Sequence, residues 1–260
     1  MNGKLTIEIW PDATAIGCRA ADLVAVEQRR GDLRVLGVAT GSSPSPVYEA
    51  LHDLALPCWQ DVEVFALDEY VGLGPGHPES YRSVIEREVR RPLGMPVTNV
   101  HVPDGDAPDL DAACAEYEQQ LRDHGGVDVQ ILGIGATGHI GFNEPGSDFA
   151  SRTRPVRLSE RTRSDNARFF TGPEEVPQCA LTQGIATIAQ ARRHVLVARG
   201  RRKAAAVRAA LEGEVSTACP ASALQHFDDV TVLLDPEAAS TLSRAALREV
   251  AVTGTDPATL

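Results

Sequence analysis

The feature that most constrains this sequence is the alternation of short apolar runs with amphipathic stretches along its 260 residues. Runs rich in apolar and β-branched residues predict strands at 5–10, 33–39, 62–67, 127–132, 154–158, 194–198 and 230–234. Helical patterns occur at 13–29, 44–54, 80–89, 109–123, 160–170, 183–190, 201–212 and 236–247. This alternation predicts an α/β fold with an open, mainly parallel sheet and helices on both faces, a Rossmann-like three-layer sandwich. A single domain is expected over residues 1–260, since no repeat or linker interrupts the pattern.

Charge and hydropathy narrow the partners that this chain can have. A formal net charge of -11 argues against a nucleic-acid surface and against binding to anionic membranes. No apolar run approaches the roughly 18 residues of a membrane span. The first ten residues alternate like a strand and lack the long apolar core of a signal peptide. We therefore expect a cytoplasmic protein that acts on a small molecule, and a homo-oligomer is possible.

Cysteine and histidine positions give no indication of a disulfide framework or a metal site. The five cysteines are scattered, with no C-x-x-C pair: Cys18, Cys58, Cys114, Cys179 and Cys219. They are predicted to be buried thiols in a reducing compartment. The histidines outside the segment discussed next also lack the spacing of metal ligands: His52, His77, His101, His124, His194 and His226. No metal site is expected.

The segment 127–145 joins a predicted strand to a glycine turn and a titratable pair. The strand is followed by Gly133-Ile-Gly-Ala-Thr-Gly138 and then by His139-Ile-Gly-Phe-Asn-Glu-Pro145. In open α/β sheets, ligands bind at the carboxyl ends of strands, where this turn lies. The three glycines also match the dinucleotide-binding pattern G-x-G-x-x-G. However, no helical pattern starts at the third glycine, and such a helix must hold the pyrophosphate, so a nicotinamide cofactor is disfavoured.

Two further strand ends carry patterns that suit an anion. Thr40-Gly41-Ser42-Ser43 offers backbone N–H groups and hydroxyls at the start of a helix, although a simple capped turn explains it equally well. Gly200-Arg201-Arg202-Lys203 places positive charge in a first helical turn, where it opposes the helix dipole; a solvated surface lysine is the commoner outcome.

Six arginines lie between residues 151 and 168: Arg152, Arg154, Arg157, Arg161, Arg163 and Arg168. Most are expected in surface ion pairs, and one or two could clamp a phosphate. Together these elements predict a site for a small phosphorylated metabolite.

Three titratable residues are candidates for proton transfer: Asp68, His139 and Glu144. A carboxylate at a strand end can act as a base, and a histidine beside a carboxylate can shuttle protons near neutrality. Each residue singly has a structural explanation, as a cap, an ion pair or a loop side chain. Their convergence on one rim of the sheet favours catalysis. Glu69 would replace Asp68 as the base if the strand register were shifted by one residue.

Several motifs in collinear order resemble the glucosamine-6-phosphate deaminases of the glucosamine/galactosamine-6-phosphate isomerase family. They cover nearly the whole chain: Asp68-Glu-Tyr-Val-Gly-Leu, His77-Pro-Glu-Ser-Tyr81, Gly138-His-Ile-Gly-Phe-Asn-Glu-Pro145, Ser151-Arg-Thr-Arg154, Ala167-Arg-Phe-Phe170, Lys203 and Pro220-Ala-Ser-Ala-Leu-Gln225. The resemblance implies conversion of glucosamine 6-phosphate and water to fructose 6-phosphate and ammonia, without metal or organic cofactor. It also implies an enzyme of the hydrolase class that acts on a C–N bond.

The same resemblance implies a role for each site residue. Asp68 would move a proton from C2 to C1, and His139, supported by Glu144, would open the pyranose ring. Thr137 stands where some members carry an acidic residue, and its hydroxyl would orient the histidine. The phosphate would be held by Gly41, Ser42, Ser43, Arg168 and Lys203.

Allosteric regulation is not expected. Ser147 and Arg154 match the family's effector site, but Val156 replaces a lysine and the tail 252–260 lacks the tyrosine of allosteric members. Two alternatives to the deaminase remain. The 6-phosphogluconolactonases share the sheet and a Gly-His turn but lack the Phe-Asn-Glu-Pro continuation. A non-catalytic sugar-phosphate sensor would not require Asp68, His139 and Glu144 together, and its helix-turn-helix is not evident in a chain that starts with a strand.

Overall fold

The computed structural model describes residues 4–74, 76–172 and 174–244. Ten strands are found in this part of the chain: β1 Lys4–Ile9, β2 Val35–Val38, β3 Glu63–Ala66, β4 Asp68–Tyr70, β5 Val100–His101, β6 Val129–Gly133, β7 Arg154–Arg157, β8 Cys179–Thr182, β9 Arg193–Ala198 and β10 Asp229–Leu234. Seven form one sheet in the order β1-β10-β9-β6-β2-β3-β5, and every neighbouring pair is parallel. The predicted parallel sheet is therefore confirmed.

The strand order places a topological switch point between β2 and β6. From β2 the chain continues to its neighbour β3 on one side, and from β6 the next strand of this sheet is β9 on the other side. The connections thus leave β2 and β6 in opposite directions and open a crevice at their carboxyl ends. In the sheet, β9, β6, β2 and β3 are consecutive. The four strand ends whose loops carried candidate residues in the sequence therefore lie side by side.

Helices cover both faces of this sheet. They are α1 Ala13–Arg30, α2 Ser45–Asp53, α3 Tyr81–Ile85, α4 Arg91–Leu93, α5 Leu110–Asp123, α6 Glu160–Asn166, α7 Ile185–Ile188 and α8 Ala204–Glu212. Alternate strand residues enter different cores: Ile131 packs with α1 and α2, whereas Leu132 packs with α7 and α8. A smaller core joins α5 to Val35 and Phe65. This alternation produces the three layers. None of the helices in the described ranges combines the length and the apolar character that a membrane crossing requires.

The remaining strands form a second, antiparallel sheet in the order β4-β8-β7. Strand β7 was predicted, but β8 was missed, because Cys179–Thr182 is a run of only four residues with no measurable period. The helix predicted at 183–190 is reduced to α7, which begins after Gly184. A Cβ on this glycine would lie 2.1 Å from the carbonyl oxygen of Ser151, so only glycine allows the close passage of the two segments.

Three other predictions need correction. The helix predicted at 160–170 ends at Asn166 and continues as a short 3-10 segment, Ala167–Phe169. Of the helix predicted at 236–247, residues 236–241 form turns, because Asp235 caps the backbone N–H groups of Ala238 and Gly200; residues 245–247 lie outside the described part. The cysteines are not all buried: Cys18 and Cys58 are exposed.

Candidate active site

Asp68 lies at the junction of the two sheets. It follows β3 after one residue and is itself the first residue of β4, where it is paired with Thr182 of β8. Only 6% of its surface is exposed. Burial, reinforced by the negative charge of Glu69, raises the pKa of its carboxyl group to about 8. Within the described ranges no group donates a hydrogen bond to this carboxylate, so its oxygens are free to accept a proton from a ligand.

The loop after β6 approaches this carboxylate closely. A Cβ built on Gly141, whose φ is +55°, would lie 3.4 Å from Asp68 Oδ2 and 2.9 Å from Thr182 Oγ1. Thr182 Oγ1 in turn accepts a hydrogen bond of 3.1 Å from the N–H of Phe142. Glycine at this position therefore permits the loop to adopt a left-handed conformation beside Asp68. The predicted convergence of these two segments is confirmed.

The carboxylate of Glu69, the other candidate for the base, is engaged in hydrogen bonds. Its carboxylate accepts three backbone hydrogen bonds, from Tyr70 and Tyr81 at 2.8 Å and from Arg82 at 2.9 Å. These bonds tie the first turn of α3 to β4. The side chain points away from the crevice, as the predicted strand register requires, and its role is structural.

The histidine of this loop is oriented by two oxygen atoms. Nδ1 of His139 lies 2.8 Å from Thr137 Oγ1 and 3.7 Å from Glu144 Oε2. A proton on Nδ1 can be shared with these oxygens, which leaves the lone pair on Nε2. The ring lies against Gly135, where a Cβ would come within 2.0 Å of it. The predicted grouping of Thr137, His139 and Glu144 is present.

Glu144 is held as an anion. Ser159 and Thr162, from the start of α6, donate hydrogen bonds to Oε1, while Oε2 faces His139. Burial acts to raise the pKa of this carboxyl group, but hydrogen bonds from His139, Thr162 and Ser159 outweigh it and lower the pKa to about 2. Sequence reasoning missed both hydroxyl residues. Their signal was the pattern Ser159-Glu-Arg-Thr162, in which Ser159 caps the helix.

The loop after β2 forms a corner with positive charge. Gly41 has a φ of +102°, and the loop leads into the N-terminus of α2, which has no acidic residue in its first turn. Arg168 Nη2 lies 3.4 Å from Ser42 Oγ and is its donor. Lys203 ends the 3-10 turn before α8; burial, with the charges of Arg168 and Arg202, lowers its pKa, and Asp165 opposes this.

A third cation at this corner was not predicted. Arg199, the first residue after β9, donates a hydrogen bond from Nη2 to the carbonyl oxygen of Ser42. Its Nε is buried and has no partner. No carboxylate of the described residues forms an ion pair with Arg168, Arg199 or Lys203. The only signal was its position at a strand end, one residue before the Gly200-Arg201-Arg202-Lys203 pattern.

The other arginines of the 151–168 region lie in structural contacts or outside the crevice. Arg152 forms an ion pair with Glu118, whereas Arg154 and Arg157 donate hydrogen bonds to neutral oxygens, so the prediction of surface ion pairs was wrong for these two. Arg154 Nη1 donates to Asn143 Oδ1 at 2.9 Å and Nη2 to Ser147 Oγ at 3.2 Å.

The glycine pattern at 133–138 is not followed by a helix; residues 139–150 form turns and an isolated bridge, as predicted.

Comparison with known proteins agrees with this geometry. Residues 13–233 match the family described as glucosamine-6-phosphate isomerases/6-phosphogluconolactonase. Proteins named glucosamine-6-phosphate deaminase from Arthrobacter sp. (strain FB24) and Streptomyces coelicolor are 53% and 52% identical, over 93% of this chain and 94% of each relative.

Solved structures give the same result. A monomeric glucosamine-6-phosphate deaminase has a TM-score of 0.88 and 41% identity over 91% of this chain and 100% of its own. A 6-phosphogluconolactonase from Trypanosoma brucei has a TM-score of 0.74 and 22% identity over 93% of this chain and 100% of its own, which demonstrates a shared fold alone. The chain therefore belongs to the family of glucosamine-6-phosphate isomerases and 6-phosphogluconolactonases.

Proposed function

We propose that this protein is a glucosamine-6-phosphate deaminase, which converts glucosamine 6-phosphate and water to fructose 6-phosphate and ammonia. The observation that carries the proposal is the buried carboxyl group of Asp68, with a pKa of about 8 and no hydrogen-bond donor among the described residues. A buried carboxylate with a raised pKa suits removal of a proton from carbon. The relatives at 52–53% identity bear the name of this activity.

Ring opening is assigned to His139 and Glu144. Breaking the C1–O5 bond requires a proton on O5 and loss of the proton from the C1 hydroxyl, and an imidazole can perform both transfers in turn. With Nδ1 directed to Thr137 and Glu144, Nε2 is the nitrogen that exchanges protons with the sugar. The anionic Glu144 stabilises the imidazolium form during this exchange. The product is the open-chain aldehyde.

Isomerisation is assigned to Asp68. Its carboxylate removes the proton from C2; the C–H electron pair forms the C1=C2 bond of an enolamine as the C1=O π pair moves to O1, which takes a proton from solvent. Return of the proton to C1 consumes the C1=C2 pair while the nitrogen lone pair forms the C2=N bond, and the iminium loses an N–H proton to solvent to give the imine. One carboxylate on one face of the intermediate suffices for both transfers. Thr182 and Gly141, which border Asp68, leave the approach to its Oδ2 narrow.

The final step is addition of water to the imine and release of ammonia. This step alone is a hydrolysis. The residues of the site perform the isomerisation that precedes it, so the class label hydrolase, expected from the overall C–N cleavage, is too narrow. The enzyme is better described as an isomerase-type deaminase.

The phosphate group is assigned to the corner at the start of α2. Backbone N–H groups of Gly41, Ser42 and Ser43 and the positive end of the helix dipole favour a dianion there. Arg168 and Lys203 add positive charge at this corner, and Arg199 is a third ligand or positions the Ser42 carbonyl. These three cations form no ion pair with a carboxylate of the described residues, so they remain available to neutralise a bound anion.

Ammonia release from glucosamine 6-phosphate, measured with a coupled glutamate dehydrogenase assay, tests the proposal. The matched substrate is 6-phosphogluconolactone, which carries the same phosphate but has no C2 amine. We expect turnover of the first and none of the second above the spontaneous rate. Hydrolysis of the lactone without ammonia release would assign the chain to the lactonase branch. Binding of both compounds without turnover would favour a sensor.

A further inference from the structure

Two histidines that lie 23 positions apart in the sequence meet at the edge of the main sheet. His101 ends the edge strand β5, and His124 follows α5 as its C-cap; their ring centroids are 4.9 Å apart. Glu63, the first residue of β3, completes the group. One candidate ligand atom from each of the three side chains lies within 4.8 Å of the other two. All three side chains are half-buried.

The contacts around this group resemble the outer shell of a metal site. Nδ1–H of His124 donates to the carbonyl oxygen of Gln120 at 2.8 Å, which leaves the lone pair on Nε2. Histidines that bind metals commonly donate their other ring N–H to a carbonyl or carboxylate in this way. The His101 ring is stacked on Phe65, with centroids 4.3 Å apart and an interplanar angle of 13°. Phe65 also contacts the His124 ring at its edge.

We propose that Glu63, His101 and His124 form a site for Zn²⁺, with one carboxylate and two imidazole ligands and water in the fourth position. Nε2 of His101 lies 2.8 Å from Glu63 Oε2 in a hydrogen bond whose proton the metal displaces. Two nitrogens and one oxygen with an open position suit tetrahedral zinc. The sequence predicted no metal site, because ligand spacing along the chain does not reveal residues that the β5–α5 connection brings together.

This site is separate from the proposed catalytic centre. Glu63 precedes Asp68 by five residues of extended chain, which is roughly 16 Å. The ion would connect β3, the edge strand β5 and the C-terminus of α5, and would not contact the substrate. Substitution of the three ligands is therefore expected to change metal binding and thermal stability, and not turnover.

Titration of the metal-free protein with Zn²⁺, in competition with a chromogenic chelator, tests this proposal. The thiols are alkylated first, since Cys18 and Cys58 are exposed. We expect one equivalent of bound Zn²⁺ and release of about one proton per ion. His101→Ala and His124→Ala should each weaken binding at least about tenfold, the scale of loss known for metal-site substitutions.

His52→Ala is the matched control, because its Nδ1 also donates to a carbonyl, that of Pro92 at 2.8 Å, but it has no partner ligand in the cluster. It should bind Zn²⁺ like the wild type. Glu63→Gln keeps the shape of the site if an alanine variant fails to fold, and should also weaken binding at least about tenfold. Far-UV circular dichroism and unchanged ammonia release report folding. Zn²⁺ affinity that is the same in His101→Ala, His124→Ala and Glu63→Gln as in the wild type would overturn the proposal.

Discussion

Replacement of Asp68 by asparagine should remove activity and at the same time stabilise the fold at neutral pH. Asparagine keeps the shape of the side chain but cannot accept a proton. The buried position and the pKa of about 8 mean that the wild-type carboxylate is held in the fold at a cost. Substrate binding should change little, because the assigned phosphate ligands Arg168 and Lys203 lie on other loops.

The loss of rate follows from the role of the base. General-base catalysis contributes about 10²- to 10⁴-fold, which is about 3–5 kcal/mol in the activation barrier. In the wild type, a carboxyl group with a pKa of about 8 is ionised only to roughly one tenth at about pH 7. The kcat/KM of the wild type should therefore rise about tenfold for each pH unit below this value and level off above it.

The stability of the wild type has the opposite pH dependence. The pKa of Asp68 is about 8 in the folded chain and 3.8 in the unfolded chain. At pH values between these two, the folded chain keeps the proton on Asp68 that the unfolded chain has released. Stability of the wild type therefore falls as the pH rises through this window, by up to about 1.4 kcal/mol per pH unit. The asparagine variant lacks this dependence, so its advantage should grow by up to about 3 kcal/mol between about pH 5 and pH 7.

Three measurements check this prediction. Exchange of the C2 hydrogen with deuterated solvent, followed by NMR, reports the base directly, and calorimetry reports substrate affinity. Urea unfolding of both proteins at the two pH values reports stability. Wild-type exchange in Asp68→Asn would place the base on another residue. A stability difference that does not change with pH would mean that Asp68 is already ionised in the folded protein at neutral pH.

Three further predictions concern the rest of the site. Lys203→Ala should lower kcat/KM about 10- to 150-fold and weaken inhibition by inorganic phosphate, because a charged hydrogen bond to the dianion is worth about 1.5–3 kcal/mol; a change under about twofold would remove this lysine from the site. Thr137→Val should lower kcat about three- to tenfold and alter the pH profile with little change in KM, whereas Thr137→Ser should retain wild-type kinetics; equal rates in both variants would exclude the hydrogen bond to His139. Initial-rate curves should be hyperbolic and insensitive to N-acetylglucosamine 6-phosphate, since the Arg154 guanidinium is already engaged by Asn143 and Ser147; a sigmoid curve that this ligand straightens would reveal an effector site.

Much of the site was predictable because parallel strands end at one edge of a sheet. Once the alternation of strands and helices was recognised, the loops after β2, β3, β6 and β9 had to lie at the same edge. Asp68, His139 and the loop at Ser42 followed from that rule and from the family motifs. Whether the tail 252–260 contributes to regulation lies outside the described residues.

What escaped prediction depends on long-range pairing and on side-chain direction. Strand β8 is too short to show a period, and its partner β4 lies 110 positions away in the sequence, counted from Tyr70 to its paired residue Ala180. Arg199 reaches Ser42 only because β9 ends two strands from β2, a distance set by the sheet order. The meeting of His101 with His124 likewise depends on how α5 returns to β5.

The second sheet has a consequence for the order in which this protein folds. Strand β4 ends at residue 70, and the other two strands of this sheet, β7 and β8, begin at residues 154 and 179. At least 84 positions in the sequence therefore separate β4 from its companions. Pairing segments so distant in the chain requires closure of long loops, which is slow compared with formation of local helices and neighbouring parallel units. Asp68 acquires its desolvated environment only when β4 pairs with β8. During refolding, recovery of enzymatic activity should therefore lag behind recovery of the helical circular dichroism signal.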